Sequence, residues 1–125
     1  MSKQMNRTGI GWDSHRLVAG RPLVLGGVEL ESDRGLEGHS DADVLTHAVI
    51  DAILGAAGLD DIGTHFPDTD ERWKDADSIG LLEAACALVA GAGFEVVNVD
   101  ATVMLEAPRV GSRRVQMRER LAAAI

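Results

Sequence analysis

The sequence is poor in aromatic residues, basic charge, cysteine and long apolar runs, and each shortage removes a class of protein. Of its 125 residues only 3% are aromatic and none is tyrosine, so a core must be built from Ala, Val, Leu and Ile. A hydrophobic content of 46% nevertheless argues against disorder and suits one folded domain of this length. The formal net charge of -8 leaves no basic excess to displace counterions from a phosphate backbone, which disfavours nucleic acid and anionic membrane as partners. Arg113, Arg114, Arg118 and Arg120 make the last stretch locally basic, at spacings that suit the wet face of an ordinary helix. With Cys86 the only cysteine, no internal disulfide or cysteine-based metal site can form, and its alanine-rich setting reads as that of a small buried hydrophobe. No apolar run approaches the roughly 20 residues of a membrane span, and residues 1–7 are polar rather than signal-like. A cytoplasmic protein is expected.

What is present divides into short elements. Residues 8–15 read as a strand whose polar end, Asp13 and His15, is chemically active. Leu23-Val24-Leu25 and Val28-Glu29-Leu30 flank Gly26-Gly27, the signal of a tight hairpin. Ser40, followed by Asp41 and Asp43, predicts a helix start, and the apolar set Val44, Leu45, Ala48, Val49, Ala52, Ile53 and Ala56 continues it until Gly58. Residues 59–75, with Pro67, Asp68, Asp70 and Asp75, read as a long functional loop. A second helix is expected over 78–90, capped by Asp77 or Ser78, and an alternating strand over 94–104, interrupted by Pro108. A last helix spans 112–125, with Val115, Met117, Leu121 and Ala124 available for packing. Together these predict an α+β protein, a two-layer α/β sandwich whose mixed β-sheet uses the segments starting at Thr8, Leu23, Val28 and Phe94, with helices on one face.

Asp13 and His15 stand two apart on the first strand, so both project from one face and can close on a single ion. Two ligands are not a site, and such a pair alone is more commonly an ordinary polar strand end. His47 lies one helical turn from both Asp43 and Asp51. A carboxylate there could fix the imidazole tautomer as metal ligands require, or the three could form a solvated charge network. One Asp and two His would give zinc three protein ligands and an open fourth position, the arrangement of a catalytic site. His39 and Ser40 sit at the mouth of the same helix, where free amides favour an anion. Phe66-Pro67-Asp68-Thr69-Asp70, after Asp61-Ile62-Gly63, serves equally as a turn or as a loop offering backbone groups to a polyol.

In this order, Gly11-Trp12-Asp13-Ser14-His15, His39-Ser40-Asp41-Ala42-Asp43, His47, Asp60-Asp61-Ile62-Gly63 and Phe66-Pro67-Asp68-Thr69-Asp70 closely resemble the 2-C-methyl-D-erythritol 2,4-cyclodiphosphate synthase family. The resemblance runs from about Arg7 to the end and takes in Asn98-Val99-Asp100 and Ala107-Pro108-Arg109. It implies a phosphorus–oxygen lyase of non-mevalonate isoprenoid biosynthesis. Such an enzyme cyclises 4-diphosphocytidyl-2-C-methyl-D-erythritol 2-phosphate and releases CMP. It further implies that Asp13, His15 and His47 bind Zn2+ and that His39 and Ser40 hold phosphate. Asp61, Ile62 and Gly63 would surround the substrate hydroxyls, and Phe66, Pro67, Asp68, Thr69 and Asp70 would close over them. Leu105, Glu106, Ala107, Pro108 and Arg109 would receive cytidine at a site between subunits of a homotrimer.

The family continues some tens of residues beyond the match to Ile125, through a final strand and a Thr-Thr-Thr-Glu segment. That segment helps bind a second divalent cation, Mg2+ or Mn2+, and contacts phosphate. The expectation is therefore one synthase-like domain over residues 1–125, incomplete at its C-terminal side. If the native product ended at Ile125, zinc binding without efficient cyclisation would be expected. Two other readings share the motifs: a zinc hydrolase in which bound water attacks a phosphate or ester, and an inactive binding protein.

Overall fold

A computed structural model describes residues 5–125; the first four residues of the polar N-terminal stretch lie outside the described part. The elements run β1 (Leu17–Ala19), β2 (Leu23–Leu25), β3 (Val28–Leu30), β4 (Arg34–Leu36), α1 (Val44–Ala56), α2 (Ile62–His65), α3 (Ser78–Gly91) and α4 (Arg114–Ala124). This is the α+β class that the sequence predicts.

The hairpin forms because its turn needs two positive φ angles, and Gly26 at +56° and Gly27 at +73° supply them without a Cβ penalty. β2 and β3 then pair antiparallel with Leu23 opposite Leu30 and Leu25 opposite Val28, and all four side chains are buried. β1 pairs antiparallel with β4 in a second ladder, and β2 lies beside β4. Leu23 and Leu25 meet Ile50, Ile53 and Leu54 of α1 and Leu82, Ala85 and Val89 of α3 in one apolar core. Tyrosine-free and nearly phenylalanine-free, that core is aliphatic, as composition requires.

Several expectations are corrected. Segments 8–15 and 94–104 pair with no strand among the described residues; a cavity of about 1180 Å³, lined by Thr8, Gly9, Phe94 and Val96 among others, borders both. Alternation marks a segment as suited to a strand, but ladder hydrogen bonds need a neighbour within reach. The cap of α1 is Asp43, not Ser40: its side chain accepts from the Thr46 amide. Within 59–75, α2 and a 3-10 turn at Glu71–Trp73 form because Asp61 and Asp70 cap them. Asp77 caps α3 as expected. On α4, Met117 is buried, whereas Val115 is 51% exposed rather than packed. Cys86 is half-buried, and that burial pushes its thiol up.

The Asp43 carboxylate, fully buried, joins the hairpin to α1. It accepts from the amides of Gly26 (2.9 Å), Gly27 (2.7 Å) and Thr46 (3.0 Å) and from the Thr46 hydroxyl (2.7 Å). Burial raises its pKa against the opposing pull of those donors. Removing the acceptor strands buried donors at roughly 1–3 kcal/mol each. Asp43→Ala is therefore expected to cost about 3 kcal/mol or more in urea unfolding, and a loss below about 1 kcal/mol would contradict the assignment.

Candidate metal centre

The site begins with two glycines. A Cβ on Gly9 would lie 2.0 Å from the Ala52 carbonyl oxygen, and one on Gly11 would lie 1.7 Å from that of Ala48. Only glycine lets the segment rest this closely on the backbone of α1. Alternate residues of extended chain share a face, so the face that carries Gly9 and Gly11 onto the helix next carries Asp13 and His15. They arrive where α1 presents His47, one residue before Ala48.

Asp13, His15 and His47 converge, each offering one ligand atom, all within 4.8 Å of one another. Asp13 Oδ2 lies 2.9 Å from His15 Nε2 and 3.2 Å from His47 Nδ1. Four-coordinate zinc with bonds of about 2.0–2.1 Å has ligand atoms roughly 3.3 Å apart, so these separations fit an ion of that size. The far side of His15 is fixed by the Glu37 carbonyl, 2.8 Å from Nδ1. A carbonyl only accepts, so Nδ1 carries the proton and Nε2 turns its lone pair toward Asp13. A carboxylate facing an imidazole lone pair calls for a cation, either a proton or a metal. The hydrogen bond between His15 and Asp13 raises the His15 pKa despite burial. Burial works to raise Asp13, yet the neighbouring imidazoles of His15 and His47 hold its carboxyl well below the usual range. The Asp13 side chain stays 25% exposed and that of His47 only 11%, so the cluster is anchored within and open on one side.

The helix-face partners considered for His47 are not its partners. Asp43 is the cap described above, and Asp51, raised by burial, accepts from the Ile62 amide at 2.8 Å and ties α2 to α1. The outer nitrogen of His47 instead meets two hydroxyls, Ser78 Oγ at 2.7 Å and Ser40 Oγ at 3.1 Å. Ser40 thus joins the cluster. His39 points elsewhere: its Nε2 donates to the Asp70 carbonyl at 2.9 Å, tying the site's edge to the loop of Phe66, Pro67, Asp68, Thr69 and Asp70. In that loop Phe66 packs edge-on against Trp73, and Arg72 pairs with Asp70 at 2.7 Å. Asp61 accepts from the amide and hydroxyl of Thr64 and starts α2, whose Ile62 amide meets Asp51 while Gly63 lies beside Asp61. Segment 105–109 is tied elsewhere, through Glu106 and Arg34 of β4 at 4.0 Å.

An α+β fold that gathers one carboxylate and two imidazoles at the N-terminal end of a helix defines a protein built round a candidate divalent-metal centre. Residues 6–125 match the YgbB family, and the chain belongs to that family. It is 62% identical over 122 residues to 2-C-methyl-D-erythritol 2,4-cyclodiphosphate synthase of Rubrobacter xylanophilus, covering 95% of this chain and 73% of that one. The enzyme of the same name from Salinibacter ruber is 59% identical, with 95% and 76% covered. Among solved structures, a CDP-bound 2C-methyl-D-erythritol-2,4-cyclodiphosphate synthase superposes with a TM-score of 0.79 at 40% identity, covering 94% of this chain and 79% of that one. A bifunctional IspDF from Campylobacter jejuni gives a TM-score of 0.90 at 45% identity, with 94% of this chain matching 32% of that longer one.

The glycine contact sets the geometry, which leads to a paired test. Gly11→Ala is expected to push the segment from α1 and lower stability by several kcal/mol, on the order of a core overpacking change. Gly55→Ala, on the same helix but with nothing within 4 Å of the added methyl, should instead raise stability by roughly 0.5–1 kcal/mol. Equal effects in thermal unfolding would contradict the close approach.

Proposed function

We propose that this chain binds zinc through Asp13, His15 and His47 and acts in the cyclisation of 4-diphosphocytidyl-2-C-methyl-D-erythritol 2-phosphate. The observation that carries the reading is the convergence of three ligand atoms with one open side, in a member of a family whose relatives are named for that product. The imidazole-rich donor set suits zinc better than magnesium or calcium, which prefer oxygen. A zinc ion held there supplies Lewis-acid charge to a diphosphate oxygen.

The chemistry asks little else of the protein. An oxygen of the 2-phosphate attacks the β-phosphorus, the bond from that phosphorus to the CMP oxygen breaks, and the cyclic diphosphate and CMP result; by class this is a phosphorus–oxygen lyase. No protein nucleophile takes part, so orientation and charge compensation carry the rate. Ser40 Oγ accepts from the Ala42 amide at 3.2 Å, which leaves its hydroxyl proton free for a phosphate oxygen. His39 is the catalytic residue of this reading, holding phosphate beside Ser40. Asp61, Ile62 and Gly63 meet the polyol hydroxyls, and Phe66, Pro67, Asp68, Thr69 and Asp70 cover them. Leu105, Glu106, Ala107, Pro108 and Arg109 receive cytidine through backbone groups, at a site shared between subunits of a homotrimer. Residues 1–125 belong to one synthase-like domain, acting in the cytoplasm. CDP in a solved relative supports a cytidine nucleotide as the substrate class, and no described helix is long and apolar enough to cross a membrane.

Product identity tests the reading. The protein as its cell makes it, given the diphosphocytidyl substrate, should yield a cyclic diphosphate and equimolar CMP by phosphorus NMR. Asp13→Asn should lower kcat by 100-fold or more, the scale of a lost electrostatic contact in a transition state. A linear phosphate product would assign the site to a hydrolase instead.

A further inference from the structure

We propose that Ser78 and Asp41 are positioning residues for the metal centre, forming a hydrogen-bond relay that keeps the His47 proton on Nε2 and its lone pair on Nδ1, toward Asp13. The inference rests on the metal reading above and extends it to two residues outside the ligand set.

The direction of the relay follows from what each group can do. Asp41 accepts at Oδ2 from the Ser78 amide (2.9 Å) and at Oδ1 from the Asp43 amide (3.0 Å) and the Ser78 hydroxyl. A carboxylate has no proton to give, so the Ser78 O–H points at Asp41 and only lone pairs remain on Ser78 Oγ. His47 Nε2, 2.7 Å from that oxygen, must therefore be the donor. Ser78 is wholly buried, which keeps water from taking either role. Ser40 Oγ is farther from Nε2, at 3.1 Å, and already accepts from an amide, so it accompanies the bond without setting its direction. The proton on Nε2 leaves the Nδ1 lone pair facing Asp13 Oδ2, 3.2 Å away, among the three ligand atoms. His15 is fixed in the mirror sense by the Glu37 carbonyl, with Nδ1 protonated and Nε2 turned inward. Each imidazole thus has behind it an acceptor that sets its tautomer, the Glu37 carbonyl for His15 and Ser78 Oγ for His47, the service that partners behind metal-bound histidines perform elsewhere.

A purely structural role for the pair, tying the loop before α1 to the start of α3, is already met by the Ser78 amide on Asp41. That amide survives in Ser78→Ala, where the relay does not. In Asp41→Asn the carboxamide can donate to Ser78 Oγ, turn its hydroxyl toward His47 and reverse the relay with the tether kept.

The test is zinc affinity by competition with a chromophoric chelator, on the full chain, for the unmutated protein, Ser78→Ala, Asp41→Asn and the double variant. Each single change should weaken zinc binding about 10–100-fold, and the double should be no weaker than the worse single, since one relay is cut once. Metal-free circular dichroism checks that the variants fold. Histidine ring-nitrogen NMR on the unmutated, zinc-loaded chain needs no variant: His47 should be ligated through Nδ1, with a slowly exchanging proton on Nε2. Unchanged zinc affinity in folded Ser78→Ala, strictly additive losses, or zinc on His47 Nε2 would overturn the relay. Absence of zinc from Asp13, His15 and His47 in the unmutated chain would instead defeat the metal reading beneath it.

Discussion

The contact between an extended segment and the bare backbone of α1 governs the rest of the site. Gly9 and Gly11 let the chain lie where any side chain would meet the Ala52 or Ala48 carbonyl, and the alanines at 48, 52 and 56 keep the helix face low enough to receive it. Once that register is set, period-two alternation leaves Asp13 and His15 no other place than beside His47. Loops usually carry functional residues on a rigid scaffold. Here an irregular segment gains a scaffold's precision by being pressed onto a helix.

A second constraint operates at the N-terminal end of α1, where buried carboxylates replace backbone pairing. Ala42 is fully buried with φ at +57°, a conformation that costs an ordinary residue about 1–2 kcal/mol. Bonds from the Ala42 amide to Ser40 and from the Asp43 amide to Asp41 hold that turn, and the Asp43 carboxylate holds the hairpin. The same turn directs Ser40 at His47. Asp51, Asp61, Asp70 and Asp77 likewise accept from amides at the starts of elements. Several of the chain's carboxylates are therefore committed to holding the starts of its elements.

Legibility in the sequence followed the range of the interaction. The hairpin was readable because two adjacent glycines specify its turn, and α1 and α3 because their apolar periodicity is continuous. The cap of α1 lies three residues beyond Ser40; Ser40 and Asp43 are both good caps, and only the fold shows which one meets the Thr46 amide. Asp13 and His15 were readable as a same-face pair, but their approach to His47 depends on Gly9 and Gly11 meeting a helix some forty residues on. Asp43 and Asp51, one turn from His47, were the natural local partners and proved occupied elsewhere. Ser78 and Asp41 carried no local signal toward His47, because each looks like an ordinary helix-start residue until α3 packs against α1. The strands expected over 8–15 and 94–104 fail for the same reason, as pairing depends on what lies beside a segment.

On the reading proposed above, an aliphatic α+β core displays one carboxylate and two imidazoles, each held from behind in a single tautomer, to one cation. Anomalous diffraction from crystals of the zinc-soaked protein, collected on both sides of the zinc edge, tests this most directly. The account predicts a single strong peak bonded to Asp13 Oδ2, His15 Nε2 and His47 Nδ1 at about 2.0–2.1 Å, with a fourth position facing solvent. A peak at other side chains, or ligation through the outer nitrogen of either histidine, would contradict it.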